Sequence, residues 1–129
     1  MVVALEDVRV ASPCSGVAVV SIVDEHDLAT KSELSALLHA LVRQNELVVA
    51  DFSEALFVDS STLSVVVSAY KLALERGTHL TVQLEDGCVA KRAFEISGLL
   101  NAITWASTRE EALNGSQPRI SGERDATAA

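Results

Sequence analysis

The sequence predicts an α/β domain in which a mixed β-sheet of about five strands carries about four helices packed on it. Short apolar runs suited to strands alternate along the chain with longer segments whose large apolar residues recur at helical spacing. Glycines fall between these segments rather than inside them, at Gly16, Gly77, Gly87 and Gly98, where turns and helix ends are expected. With 129 residues the chain is long enough for one core without disulfide or metal staples.

Leu5 to Ala11 and Val17 to Val23 read as two strands of a hairpin around the turn-rich Ser12-Pro13-Cys14-Ser15-Gly16. Leu34, Leu37, Leu38 and Leu41 then mark one face of a helix from about Ala29 to Gln44, with Thr30 and Glu33 spaced as a capping box. Residues 46 to 52 form a buried strand. A helix over 61 to 76 follows, with Leu63, Val66, Val67 and Tyr70 on its apolar face and Gly77 as C-cap. Leu80, Val82 and Leu84 alternate with Thr81 and Gln83, which predicts a strand with one covered face that turns out at Asp86-Gly87. Val89 to Ser97 reads as a third helix, Leu99 to Trp105 as a final edge strand, and Thr108 to Leu113 as a short last helix with Glu110 and Glu111 in its first turn. The domain so read ends at residue 114. Residues 115–129 hold one isoleucine as their only large apolar residue, which predicts a disordered C-terminal tail.

The charge balance narrows the function. A formal net charge of −8, from 18 acidic and 10 basic residues, is a poor match for nucleic acid, whose binding draws on clustered Lys and Arg. The apolar runs are far shorter than the ~20 residues of a membrane span, so no direct membrane insertion is expected. The opening MVVALEDVRV lacks a basic region and a cleavage site, which points to the cytoplasm. Two cysteines, Cys14 and Cys88, occur without a CxxC or Cys/His cluster, so no metal site and no cofactor are predicted. They read as two unpaired thiols, with a reversible Cys14–Cys88 bridge as the redox alternative.

The most informative stretch is Asp51 to Tyr70, where a strand hands over to a helix near Asp59. Asp59 is placed to cap that helix, its carboxylate accepting from backbone N–H groups of the first turn, and this leaves Ser60 and Ser61 at the helix mouth. Thr62 in the same turn is expected to bond back to the backbone. Lys91 and Arg92 read as a solvated helix face, Trp105 as packing, and His39 and His79 as surface or edge residues.

These residues resemble a known family, the STAS domains, and within it the bacterial anti-sigma factor antagonists. The family's phosphorylation motif, typically Asp-Ser-Ser/Thr-Gly-Leu-Gly, is similar to Asp59-Ser60-Ser61-Thr62-Leu63-Ser64, which follows Leu56-Phe57-Val58. The earlier Gly-Glu-Leu-Asp element looks like Asp24-Glu25-His26-Asp27, and the helix closed by Ser-Gly-Leu looks like Val89 to Leu99. Order and spacing agree from about Leu5 to Leu113. The chain departs from the family where both motif glycines are replaced, by Thr62 and Ser64, and where Asp24 stands for the earlier glycine.

The resemblance implies a protein-binding module rather than an enzyme. Its partner would be an anti-sigma factor with an ATP-dependent serine-kinase fold, which phosphorylates Ser60, with a serine phosphatase as the resetting partner. Ser61 and Thr62 are secondary acceptors. Asp27, Asp59, Ser60, Ser61, Thr62 and Ser64 make up the implied binding face, and the free protein is expected to be a monomer. Two other readings compete. One is a STAS adaptor or sensor subunit of a larger assembly, such as a membrane transport complex, in which Ser60 is never phosphorylated. The other is a small hydrolase using Ser60, which needs a base; Asp24 to Asp27 instead read as a solvated loop, and no Gly-x-Ser-x-Gly elbow is present.

Overall fold

The computed structural model describes residues 8–23 and 28–114. Five strands, β1 (Val8–Cys14), β2 (Val17–Ile22), β3 (Leu47–Asp51), β4 (His79–Gln83) and β5 (Trp105–Ala106), lie in the sheet in chain order. The helices are α1 (Leu28–Gln44), α2 (Ser60–Arg76), α3 (Val89–Ile96) and α4 (Arg109–Leu113). β1 pairs antiparallel with β2, and each later strand adds in parallel, so the sheet is mixed as predicted.

Parallel strands need crossovers, and a sheet that grows in one direction through right-handed crossovers puts every crossover helix on the same face. That face carries the main core. Val20 and Ile22 of β2, Val48 and Ala50 of β3, and Leu80 and Val82 of β4 pack there against Leu34, Leu38 and Val42 of α1, Val66 and Ala69 of α2, and Ala90 and Phe94 of α3. The opposite face is smaller. Val19, Leu47 and Val49 pack with Ala106 and with Ala112 of α4, which covers this side.

The buried stripe of α2 is Thr62, Val66, Ala69 and Ala73. It is rotated from the stripe that the large residues mark. Leu63 and Tyr70 pack only at its margin, and Val67 stays half-buried. Small residues let the helix backbone sit close to β4, so alanines, not the bulkier neighbours, occupy the centre.

Two helix ends form as predicted. Asp59 is the N-cap of α2 and Gly77 its C-cap, with Gly77 at φ 73°, a left-handed conformation that glycine adopts without penalty. Thr108 caps α4, its hydroxyl accepting from the Glu111 N–H at 3.1 Å. Other expectations need correction. α1 begins at Leu28, so Thr30 lies inside its first turn and is not the N-cap of a capping box. β1 runs on through Ser12 and Pro13 to Cys14, with an irregularity between Ala11 and Cys14, and the chain reverses at Ser15-Gly16 alone.

The largest correction concerns Leu99 to Trp105. Gly98, at φ 81°, turns the chain into a 3₁₀ turn over Leu99–Asn101, and only Trp105–Ala106 pair with β4. Leu99, Leu100 and Ile103 reach the core from that turn, a spacing that suits a helical turn rather than the alternation of a strand. Asp24 to Asp27, the segment before Val8 and the tail after Asn114 lie outside the described residues.

Candidate functional site at the mouth of α2

Asp59 organises the junction between β3 and α2. Its Oδ1 accepts from the Ser61 hydroxyl at 2.8 Å, the Thr62 N–H at 3.0 Å and the Thr62 hydroxyl at 3.1 Å. Its Oδ2 accepts from the Lys31 ammonium at 3.3 Å, and that lysine side chain is only 7% exposed. The Thr62 N–H is the main reason that the Asp59 carboxyl is held well below the usual carboxylate range; partial burial opposes this, and the Ser61, Thr62 and Lys31 donors add to it. Asp59 is therefore a fixed anion at the helix mouth.

The same network sorts the three hydroxyls of the first turn. Ser61 and Thr62 both spend theirs on the Asp59 carboxylate, Thr62 on this side chain and not on the backbone as expected, and Thr62 is buried at 2% exposure. Ser60 is exposed, and its hydroxyl donates to no described residue. Ser64 is also exposed, one turn further along. Thr62 thus fills the first family-glycine position with an additional capping hydroxyl, and Ser64 places a polar side chain on the open face. Asp27, the remaining residue of the predicted binding face, lies outside the described residues.

The sequence marked Leu56-Phe57-Val58 only as the stretch before the motif, not as exposed surface. Leu56 and Phe57, just before the cap, are 65% and 48% exposed, whereas the following Val58 packs on the core. Lys31, read only as part of a helix, supplies the cation beneath Asp59. An apolar pair outside a core directly before an acidic cap is a signal that the sequence does contain. The Lys31 partnership joins residues 28 apart and had no such signal.

A groove of about 700 Å³ runs along the open face of α2 from Ser60 past Ser64 and Ser68. His39 of α1 borders it on one side, and Ser97 and Leu99 border it on the other. His39, expected at the surface, is half-buried and bridges two helices: its Nδ1 lies 2.7 Å from the Ser35 carbonyl oxygen and its Nε2 3.0 Å from the Ser68 hydroxyl. The described histidine of this groove is bonded to Ser68, not Ser60, so a hydrolase built on Ser60 finds no base there.

A second polar cluster lies at the same C-terminal end of β3, beside α4. Arg109 reaches Asp51 Oδ2 at 2.7 Å and Gln83 Oε1 at 2.6 Å, and the Ser53 N–H donates to Asp51 Oδ1 at 2.9 Å. It ties α4 to the sheet. Cys14 and Cys88 are unpaired thiols. Cys14 ends β1 beside the start of β2, whereas Cys88 follows the far end of β4, so a strand length of roughly 17 Å separates them. A disulfide needs Cα atoms within about 7 Å, so the Cys14–Cys88 bridge does not fit this fold. Lys91, read as a solvated cation, sits 5.0 Å over the Trp105 ring and 3.3 Å from Asp86.

Comparison with known proteins places this geometry in a family. The STAS domain profile matches residues 10–112, and the chain belongs to that family. An anti-sigma factor antagonist from Mycobacterium paratuberculosis is 25% identical, with a TM-score of 0.72 over 87% of this chain and 97% of that one. A putative anti-sigma factor antagonist from Thermotoga maritima has a TM-score of 0.73 at 14% identity, over 87% and 97% of the two chains. The Bacillus cell fate determinant SpoIIAA in its phosphorylated form has a TM-score of 0.65 at 17% identity, over 85% of this chain and 99% of that one. No curated protein matches the sequence. No described helix is long and apolar enough to cross a membrane.

Proposed function

We propose that this STAS domain is an anti-sigma factor antagonist: it binds an anti-sigma factor of the serine-kinase type, which releases a sigma factor, and phosphorylation of Ser60 switches it off. The observation that carries this reading is the selection among hydroxyls at the helix mouth. Ser60 is exposed and bonded to no described residue, while Ser61 and Thr62 are tied to Asp59. A kinase that reaches this turn meets one available acceptor.

The physics of the switch follows from the cap. A phosphate on Ser60 adds about −1.5 to −2 charges. The N-terminus of α2 tolerates such a charge, because unpaired N–H groups and the helix dipole favour an anion there by about 0.3–1 kcal/mol. The domain therefore keeps its fold. The partner surface changes more, since the phosphate stands next to the fixed Asp59 carboxylate and beside exposed Leu56 and Phe57. New negative charge and bulk at a desolvated contact weaken binding, and about 3 kcal/mol corresponds to roughly a hundredfold loss of affinity.

In this reading the protein acts in the cytoplasm as a monomer, makes no contact with nucleic acid, and is reset by a serine phosphatase. A non-phosphorylated STAS adaptor in a larger assembly is the alternative, favoured by the side chains of Thr62 and Ser64 where the family has glycines. One experiment separates the two. Purified anti-sigma factors of the source organism are incubated with the chain and ATP, and Ser60 occupancy and binding are followed together. Phosphate at Ser60 with loss of binding supports the switch; stable binding to assembly proteins without modification in cells supports the adaptor.

A further inference from the structure

The contact between His39 and Ser68 has the layout of a nucleophile and its base. His39 Nδ1 lies 2.7 Å from the Ser35 carbonyl oxygen and 3.4 Å from the Ser35 hydroxyl. The carbonyl, much the shorter contact, can only accept a hydrogen bond, so Nδ1 carries the proton and the hydroxyl oxygen is at most a second acceptor. In the neutral ring Nε2 then presents its lone pair, and the Ser68 hydroxyl, 3.0 Å away, donates to it. A base aligned on a hydroxyl and itself oriented by a third group is the arrangement that activates serine nucleophiles, with a backbone carbonyl here in the orienting position. Ser68 is exposed and lines the groove of about 700 Å³, so a reagent can reach it. Ser60 and Ser64 line the same groove, and neither has a described histidine partner.

We infer that Ser68 is an acyl-acceptor site for activated acyl esters, with His39 as its base. Ser68 Oγ attacks the acyl carbon while its proton passes to His39 Nε2. The bond from the acyl carbon to the leaving oxygen breaks, His39 returns the proton to the departing alkoxide, and Ser68 is left as an O-acyl ester. No oxidant or cofactor enters the balance. The backbone N–H groups around Ser68 are spent on the hydrogen bonds of α2, so the site lacks the convergent donors that stabilise an oxyanion. The chemistry is thus a single slow modification rather than turnover. The acyl group lies in the groove near Val67 and Leu72, two helical turns or about 12 Å along α2 from Ser60.

The test incubates the full chain with p-nitrophenyl acetate and maps acetylated residues by mass spectrometry over time. The expected result is one acetyl group per chain on Ser68, formed roughly a hundredfold faster than on Ser60 or Ser64, a typical gain from a positioned base. Ser68→Ala abolishes it, and His39→Gln slows it to the rate of Ser64. Label spread evenly over the groove serines, label on Lys71 in place of Ser68, or a rate unchanged in His39→Gln would each overturn the assignment. The ratio of Ser68 to Ser64 within the wild-type chain decides the matter even if His39→Gln does not fold.

Discussion

The Lys31 ammonium lies 3.3 Å from the outer carboxylate oxygen of Asp59, and the lysine side chain is almost entirely covered. The pair joins the first turn of α1 to the start of α2 and fixes the anion that caps α2. A buried charge is costly without its counter-charge, whereas a partly exposed one loses less. Asp59→Ala, which leaves the covered Lys31 ammonium without this carboxylate and removes the cap of α2, is therefore expected to destabilise the fold by about 1–3 kcal/mol, with Lys31→Ala costing less in the same urea titration. Equal stability of Lys31→Ala and wild type would show that the pair contributes nothing.

Asp59 gives a pH signature. Its carboxyl is depressed in the fold, chiefly by the Thr62 N–H, so it contributes stability that is complete above the ordinary aspartate range. That contribution declines as pH falls below about 4, because the unfolded chain then takes up a proton that the folded one refuses. Asp59→Asn keeps a capping oxygen and loses this dependence. Urea midpoints measured between about pH 6 and about pH 2.5 should fall less steeply for Asp59→Asn than for wild type. Parallel curves would remove Asp59 as the cause.

Arg109 is expected to matter more than its exposure suggests. Its side chain is 43% exposed, yet it binds Asp51, whose side chain is 11% exposed, and Gln83 through separate nitrogens. Arg109→Ala leaves the Asp51 carboxylate covered with the Ser53 N–H as its remaining described donor, a loss of about 1–3 kcal/mol. Arg109→Lys recovers little, since one ammonium cannot reproduce the two-branched contact. Thermal unfolding of the two variants checks this; full recovery by lysine would contradict it.

Phe57 separates binding from folding. It is half-exposed before the cap, so Phe57→Ala is expected to change stability by less than about 0.5 kcal/mol. If the partner packs on this surface, an exposed aromatic beside Ser60 is an anchor whose loss costs about 2 kcal/mol, roughly thirtyfold in affinity. Calorimetric titration of the anti-sigma factor reads that loss directly. Unchanged affinity would move the contact surface away from Leu56 and Phe57.

What could be read from the sequence was local. Asp59 and Gly77 bracket α2 because cap chemistry depends on a few adjacent residues, and the alternation around Leu80, Val82 and Leu84 marks the strand β4 for the same reason. Thr81 and Gln83 are buried as well, so β4 is covered on both faces and not on one as the alternation predicted. Leu99 to Trp105 misled because Leu99, Leu100, Ile103 and Trp105 suit either a strand or a tight turn, and the left-handed Gly98 decided for the turn. The buried face of α2 was displaced because Ala69 and Ala73 carry little hydrophobic signal, although close packing on the sheet needs small residues there. Lys31 with Asp59, Arg109 with Asp51, and His39 with Ser68 join residues 28, 58 and 29 positions apart. Each looks like an ordinary surface residue in the sequence, and only the fold makes it a pair.

In the proposed switch, modification of Ser60 controls partner binding without unfolding the domain. The most direct measurement is the affinity of the anti-sigma factor for wild type, Ser60→Ala and Ser60→Glu, with the circular dichroism of each. The switch requires wild type and Ser60→Ala to bind alike, Ser60→Glu to bind roughly a hundredfold more weakly, and all three spectra to coincide. Equal binding by Ser60→Glu, with its fold intact, would contradict it.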